Sequence, residues 1–292
     1  MWHFISERIS EATGALFVCQ SRTEVQGGDT HQCYVIRDDT HRYFVKVCAQ
    51  QCHGQLACEA DGLKAIAKTG QLLTPPLICH GSVELGHQES EYLVLGFVRF
   101  ISPEASHWYM LGEQLARLHQ QPTDGQYGWR TDNFIGKTRQ KNQWNGNWAC
   151  FFAEQRIGWM LEELARHNQR LVNIDVFITQ IAQFLSSHRP EPALLHGDLW
   201  SGNASICKRG PIVYDPAVYI GDRETDLAMS ELFGAFPAGF YQGYHDTYAI
   251  DGDYARRKSL YQLYHLLNHA LIFGGHYLAS CKSAIIHFQQ QL

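Results

Sequence analysis

The stretch His196-Gly197-Asp198-Leu199-Trp200-Ser201-Gly202-Asn203, followed by Asp215 in Val213-Tyr214-Asp215-Pro216-Ala217, sets two carboxylates and an amide in a fixed order. Leu194 and Leu195 lead into the first block, and Ile212, Val213 and Tyr214 into the second. Short apolar runs of this kind suit buried strands that end at a site. The residue types are those that phosphoryl transfer needs. One carboxylate orients or deprotonates an attacking hydroxyl, while an amide and a second carboxylate hold magnesium against nucleotide phosphates. Asp198 is the candidate base, and Asn203 and Asp215 are the candidate magnesium holders.

Asp198 and Asn203 lie five apart, the offset of H-R-D-x-x-x-x-N in protein kinases. A lone D-x-x-x-x-N is common, since loop Asp and Asn often bond nearby backbone. Specificity comes from what precedes it. Phe4, Ile5 and Ile9 mark a short opening helix that ends near Gly14. Ala15 to Gln20, Gln32 to Arg37 and Tyr43 to Val47 read as an antiparallel three-strand start. Lys46 is embedded in the third strand, where a charge is costly without a partner. Nucleotide phosphates and a helix carboxylate would supply one; the alternative is a solvent-facing lysine on an edge strand. From Gly54 to Lys68 the pattern is helical, closed by Gly70. Glu59, Leu63 and Ile66 share one face of that helix, which turns Glu59 toward Lys46 or leaves it at the rim of the stripe. Gly27 and Gly28 would either cover phosphates with backbone amides or form an ordinary hairpin turn.

Thr74-Pro75-Pro76 breaks the chain, and Leu77 to Val83 and Tyr92 to Val98 read as two further strands. Beyond Ser102-Pro103 the pattern is mostly helical. The expected division is therefore a nucleotide-binding lobe over 1–98 and a catalytic and substrate lobe over 99–292. If the boundary is a connector, backbone groups of Leu95, Gly96, Phe97 and Val98 face the adenine edge. Leu111, Leu115 and Leu118 stripe one helix, and Trp148 to His167 and Ile174 to His188 read as two more. A loop rich in Gly, Asn, Trp and Gln is expected from about Pro122 to Asn147. Gly221 to Ala228 opens another helix. The last helix carries Leu260, Tyr264, Leu267 and Leu271, and packing alone explains its aromatic content.

With 292 residues, 45% hydrophobic and 18% charged, the composition is that of a globular chain rather than a disordered one. The net charge of -5 argues against general binding to nucleic acid or an anionic membrane. Met1 to Arg8 lacks the basic-then-apolar pattern of a signal peptide, and no apolar run approaches the roughly 20 residues of a bilayer span. Nine irregularly spaced cysteines give no paired zinc motif. Cys48, Cys52 and His53 are close in sequence but lack a second ligand pair, so reduced cytoplasmic thiols fit better.

Taken together, the embedded Lys46, the helical Glu59, the connector, the His196-to-Asn203 string and Asp215 resemble the kinase-like fold of small-molecule phosphotransferases. Leu195 to Asn203, then Asp215-Pro216-Ala217, then Gly221-Asp222-Arg223-Glu224 closely resemble the fructosamine kinase family, also called ketosamine-3-kinases. Phe151 to Gly158 is similar to its bacterial branch. The resemblance implies an α+β, two-lobed protein-kinase-like fold with an N-lobe antiparallel sheet plus helix and a mostly helical C-lobe. It implies ATP and Mg2+ as cofactors and phosphorylation of the 3-hydroxyl of a ketosamine, free or on a glycated protein, as a form of deglycation. Asp198 would be the base, Asn203 and Asp215 the metal holders, and Lys46 the phosphate ligand paired with Glu59. Trp200 would offer a flat face to the sugar, and Asp222 and Glu224 would bind the substrate amine or hydroxyls. Asp226 is expected to hold the catalytic-loop backbone.

Asp-Pro-Ala stands where a protein kinase has Asp-Phe-Gly, and A-P-E is missing, which argues against a protein-kinase substrate. Gly96 stands where many relatives carry an acidic connector residue. Cys33, near the glycine turn, raises redox control through an intermolecular disulfide. Two other functions remain open at this point. One is a kinase for another hydroxylated amine, aminoglycoside-like or choline-like. The other is a non-catalytic nucleotide-binding module.

Overall fold

Alternation along Arg42–Cys48 sorts its side chains onto two faces, and this sorting builds the first layer of the molecule. The computed structural model describes residues 1–25, 31–48, 54–85 and 88–292; Gly27 and Gly28, and Cys52 and His53, lie outside them. Helix α1 (Trp2–Thr13) precedes β1 (Ser21–Val25), β2 (Gln32–Arg37) and β3 (Arg42–Cys48). Helix α2 (Gln55–Thr69), β4 (Leu77–Leu85) and β5 (Gln88–Gly96) follow. The strands form one antiparallel sheet in the order β1-β2-β3-β5-β4. Tyr43, Val45 and Val47 join Ile5 and Ile9 of α1 and Tyr92 and Val94 of β5 in one core. Leu93 and Leu95 take the opposite face with Leu56, Ala60 and Leu63 of α2, and Phe44 and Cys48 pack against them. Lys46 falls between Phe44 and Cys48, so the alternation delivers its ammonium to the α2 side.

One expected strand is misplaced. Ala15 to Gln20 does not join the sheet, and the first strand is Ser21–Val25. Its side chains are almost all exposed, so an edge strand of this kind carries no apolar alternation to read. Phe17 instead enters the core, its backbone N–H donating to Ser10 Oγ at 2.9 Å. Both glycine-closed helices end where expected, at Gly14 and Gly70.

The remainder is mainly helical. It contains α3 (Ala105–His119), the short hairpin β6 (Asn133–Ile135) and β7 (Thr138–Gln140), α4 (Trp148–Phe151), a π-helical turn (Phe152–Gly158), α5 (Trp159–Arg166) and α6 (Ile174–Phe184). Then come β8 (Ala193–Leu195), β9 (Ala204–Cys207), β10 (Gly210–Val213), β11 (Tyr219–Gly221), α7 (Glu224–Leu232), α8 (Ala238–Thr247), α9 (Tyr254–Phe273) and α10 (His276–Gln289). β8 pairs with β11 and β9 with β10, all antiparallel. An N-terminal antiparallel sheet with helices, joined to a helical C-terminal part, is the protein-kinase-like fold. No described helix is long and apolar enough to cross a membrane.

The segment expected as a plain loop hides a polar network. Arg156, in the π-helical turn, is fully buried. Its Nη2 donates to Asn142 Oδ1 at 2.9 Å, its Nη1 donates to Lys141 O, and its guanidinium lies 3.9 Å from the Tyr219 ring centre. Carbonyls and aromatic faces thus stand in for a carboxylate partner. Asn142 and Gln140 both donate to Asn133 Oδ1, at 2.7 and 2.8 Å. Asn133 then donates to Val218 O at 2.7 Å and Gln140 to Ala217 O at 3.1 Å. The polar residues of the loop are therefore inside, bonding the backbone just after Asp215. Removing the guanidinium leaves several buried groups without partners. Arg156→Ala should lower unfolding stability by about 3 kcal/mol in a urea titration; a change below about 0.5 kcal/mol would show that the network is not needed.

Candidate active site

Strand ends deliver the acidic groups to one place. β8 runs into the 196–203 loop, and β10 runs into Asp215. Gly197 sits at φ 83°, and a Cβ there would stand 2.0 Å from Ala217 O, so only glycine lets the two loops touch. Asp226, at the start of α7, accepts from His196 N at 2.7 Å and Gly197 N at 2.8 Å, the backbone-holding role expected of it. Burial opposes its charge, but His119 at 3.2 Å, His196 and the Gly197 N–H outweigh that and hold its carboxyl below the usual range. His196 donates from Nε2 to Tyr214 O at 3.1 Å and accepts at Nδ1 from Asp198 N at 3.3 Å. One neutral tautomer satisfies both bonds, and burial pushes its pKa down.

Asp198 lies on the wall of a cavity of about 830 Å³. Burial and the nearby Asp215 charge push its carboxyl up to about 7, against a 3.0 Å bond from Asn203 Nδ2. Asn203 also donates to Asp198 O at 2.9 Å. Both of its bonds leave from the amide nitrogen, so Oδ1 is available to a cation. Asp215 has a left-handed backbone, φ 57°, a conformation that costs a non-glycine residue of order 1–3 kcal/mol and clusters at functional sites. It accepts from Lys46 Nζ at 2.6 Å, and its side chain keeps 39% exposure. Amide and carboxylate oxygens side by side are the donors a hard divalent cation takes, so these residues fit magnesium.

Lys46 is 5% exposed. Its Nζ stands 2.8 Å from Glu59 Oε1 as well as 2.6 Å from Asp215. The Glu59 contact is a buried ion pair at hydrogen-bonding distance. Burial disfavours the ammonium, but the two carboxylates outweigh it and hold Lys46 well above its ordinary range. Burial pushes Glu59 upward in turn. Both residues of the expected pair are thus together, and Asp215 joins them.

A second cavity of about 430 Å³ opens on the other side of Lys46 and Asp215. Leu95, Gly96, Phe97 and Val98 line it, with Val35, Phe44 and Tyr214. Gly96 N–H is already engaged by Pro76 O at 2.7 Å. Cys33 also lines this cavity, but it is buried and burial raises its thiol. That is the opposite of what a reactive thiol needs, so the environment does not favour the disulfide switch.

Trp200 lines the larger cavity. A Cβ at Gly202 would come within 2.3 Å of its indole, so the glycine makes room for the ring. Asp222 and Glu224 do not line either described cavity. They are 1% and 2% exposed. His188 and Tyr261 occupy Asp222 at 2.7 and 2.6 Å, and Arg257 grips Glu224 with two 2.8 Å bonds. Both carboxylates are thus engaged by protein side chains in the buried interior. Phe233, Asn268, His269, Phe273, His276 and Tyr277 complete the larger cavity. Leu260, Tyr264 and Leu267 of the expected last helix do pack in the core, but Phe273 of the same helix turns to the cavity, and a further helix, α10, follows it. Gly274 and Gly275 end α9 and start α10 there, and that double glycine was the available signal.

A family model for fructosamine kinase matches residues 1–291. The chain belongs to the fructosamine kinase family. A Synechocystis protein designated probable ketoamine kinase is 46% identical over 277 residues, covering 94% of this chain and 92% of the relative. A Haemophilus somnus crystal structure, provisionally designated a fructosamine-3-kinase, superposes with TM-score 0.93 at 32% identity, covering 99% and 97% of the two chains. An aminoglycoside phosphotransferase superposes with TM-score 0.60 at 14% identity over 97% of this chain and 98% of its own, which shows the shared fold. This fructosamine kinase family member is an ATP-dependent phosphotransferase.

Burial lowers both His196 and His265, the latter to about 3 from 6.5. Each is neutral when folded and charges when unfolded, so the stability they contribute is present above pH 6.5 and falls as pH drops below it. The urea midpoint should fall from pH 7 to about pH 5, and by less in His265→Asn. Equal pH slopes for the two proteins would contradict the assignment of His265.

Proposed function

We propose that this enzyme transfers the γ-phosphate of ATP to the 3-hydroxyl of a ketoamine. The observation that carries the proposal is the position of Asp198 in a cavity walled by Trp200, Phe233, Phe273 and Tyr277. A ketoamine has a polar sugar portion and an amine that is cationic near neutral pH. Aromatic faces attract such a cation by about 0.5–2 kcal/mol, and they pack against the apolar faces of a sugar. The larger cavity takes the acceptor and the smaller one takes the nucleotide base. They share Lys46, Tyr214 and Asp215, so the phosphates fall between the two. The smaller cavity is lined mostly by residues of 1–98 and the larger mostly by residues of 99–292, which supports a division of labour between them.

In this scheme Lys46 binds nucleotide phosphate and Glu59 fixes the lysine. Asn203 Oδ1 and Asp215 hold magnesium, which when bound neutralises charge on the phosphates. Asp198 orients the acceptor hydroxyl and takes its proton, a task suited to a carboxyl that burial pushes upward. Trp200 and the aromatic wall hold the sugar amine. A phosphate at C3, beside the C2 carbonyl, is a leaving group whose loss and subsequent hydrolysis release the amine, which is deglycation.

The test is ATP consumption with magnesium on fructose-lysine, ribulose-lysine, an aminoglycoside and choline. Turnover is expected on a ketoamine, falling about 100- to 10,000-fold in Asp198→Asn while nucleotide affinity is kept. Turnover confined to the aminoglycoside or choline would replace the acceptor. Nucleotide binding with no phosphorylation of any acceptor would favour a binding module instead.

A further inference from the structure

Beside Asp198 stands a buried polar group that the proposed chemistry leaves unused. His265, on α9, is 2% exposed, and its Nδ1 is buried without a hydrogen-bond partner. That nitrogen stands 3.9 Å from Asp198 Oδ1. Asp198 receives Asn203 Nδ2 on Oδ2, which leaves Oδ1 facing the imidazole. A buried ring nitrogen without a partner is costly to keep, so such a group calls for an explanation.

We propose that His265 is a positioning residue that donates its Nδ1–H to Asp198 Oδ1 when the acceptor cavity is filled. The inference rests on the assignment of Asp198 as the base. In the present structure the pair is about 1 Å longer than an ordinary N–H···O bond. A small rotation of the Asp198 carboxylate closes that gap. Asn203 then fixes one carboxylate oxygen and His265 the other, which leaves the second lone pair of Oδ1 or Oδ2 directed at the acceptor hydroxyl. The two supports come from different parts of the chain, one from the catalytic loop and one from α9.

Several features keep His265 in place for this role. Burial holds the ring neutral, so it carries one N–H and can act as a donor without placing a charge beside the base. Tyr264, the preceding residue, donates to Gln140 Oε1 at 2.6 Å, which ties α9 to the network that bonds Ala217 and Val218. Asn268 follows His265 by one turn and lines the acceptor cavity, and its Oδ1 is also buried without a partner. The face of α9 toward the cavity therefore presents unmet hydrogen-bonding capacity, not only aromatic surface.

The test compares His265→Leu, His265→Asn and His265→Gln on whichever acceptor the wild-type enzyme phosphorylates. Asparagine carries an N–H donor on Cγ, as histidine Nδ1 does, whereas glutamine places it one bond further out. A misplacement of about 1 Å costs on the order of 100-fold in rate, so the leucine and glutamine variants should lose about 10- to 100-fold in kcat. The KM for ATP should stay within about two-fold, because the lost support acts on the acceptor step. His265→Asn should recover most of the turnover. If the leucine protein does not fold, the asparagine and glutamine variants decide between them. Equal kcat in those two, or wild-type kcat in the leucine variant, would overturn the proposal. The acceptor assignment fails on the wild-type enzyme alone, so the two failures are distinguishable.

Discussion

The ammonium of Lys46 between Glu59 and Asp215 is the interaction on which the site depends. An ammonium buried alone costs several kcal/mol. It is tolerated here because β3 places it on the face of α2, where Glu59 waits, and because Asp215 reaches it from the helical part of the chain. The contact therefore ties the sheet to the catalytic loops through charge, 169 residues apart in sequence. Asp198 stands within reach of the Asp215 charge as well. Burial, with the Asp215 charge added to it, accounts for the raised Asp198 carboxyl, and the neighbouring carboxylates give a divalent cation a reason to bind.

Two buried polar networks hold the loops that carry those carboxylates. Asp226 fixes the 196–197 backbone, and Arg156, through Asn142, Asn133 and Gln140, fixes the backbone at 217–218. Gly197 lets the two loops approach to contact. Asn133 of the second network also lines the larger cavity. Each network sets where a reacting or metal-holding group stands, and catalysis by positioning depends on such placement to within about 1 Å.

Much of this was legible in the sequence where one residue had one physical role. Lys46 among β-branched and aromatic neighbours announced a buried charge, and the stripe of Glu59, Leu63 and Ile66 announced its partner. Gly14 and Gly70 announced helix ends. What was hidden depended on contacts distant in sequence. Asp222 and Glu224 read as substrate ligands in the sequence, and the side chains that engage them, His188, Tyr261 and Arg257, come from far along the chain. The aromatic wall from α9 and α10 looks like ordinary packing, because helical periodicity does not distinguish a cavity from a core. The first strand was hidden for a different reason: exposed on nearly every residue, it lacks the alternation by which strands are read.

The most direct test of the account is the position of the phosphate on the product. Fructose-lysine and ATP would be incubated with the enzyme, and the product analysed by phosphorus–proton correlation NMR. The account predicts coupling from phosphorus to the proton on C3, with inorganic phosphate and free lysine appearing as the product decays. Phosphate attached to another sugar oxygen, or no phosphorylated sugar from an enzyme that consumes ATP on choline or an aminoglycoside, would contradict it.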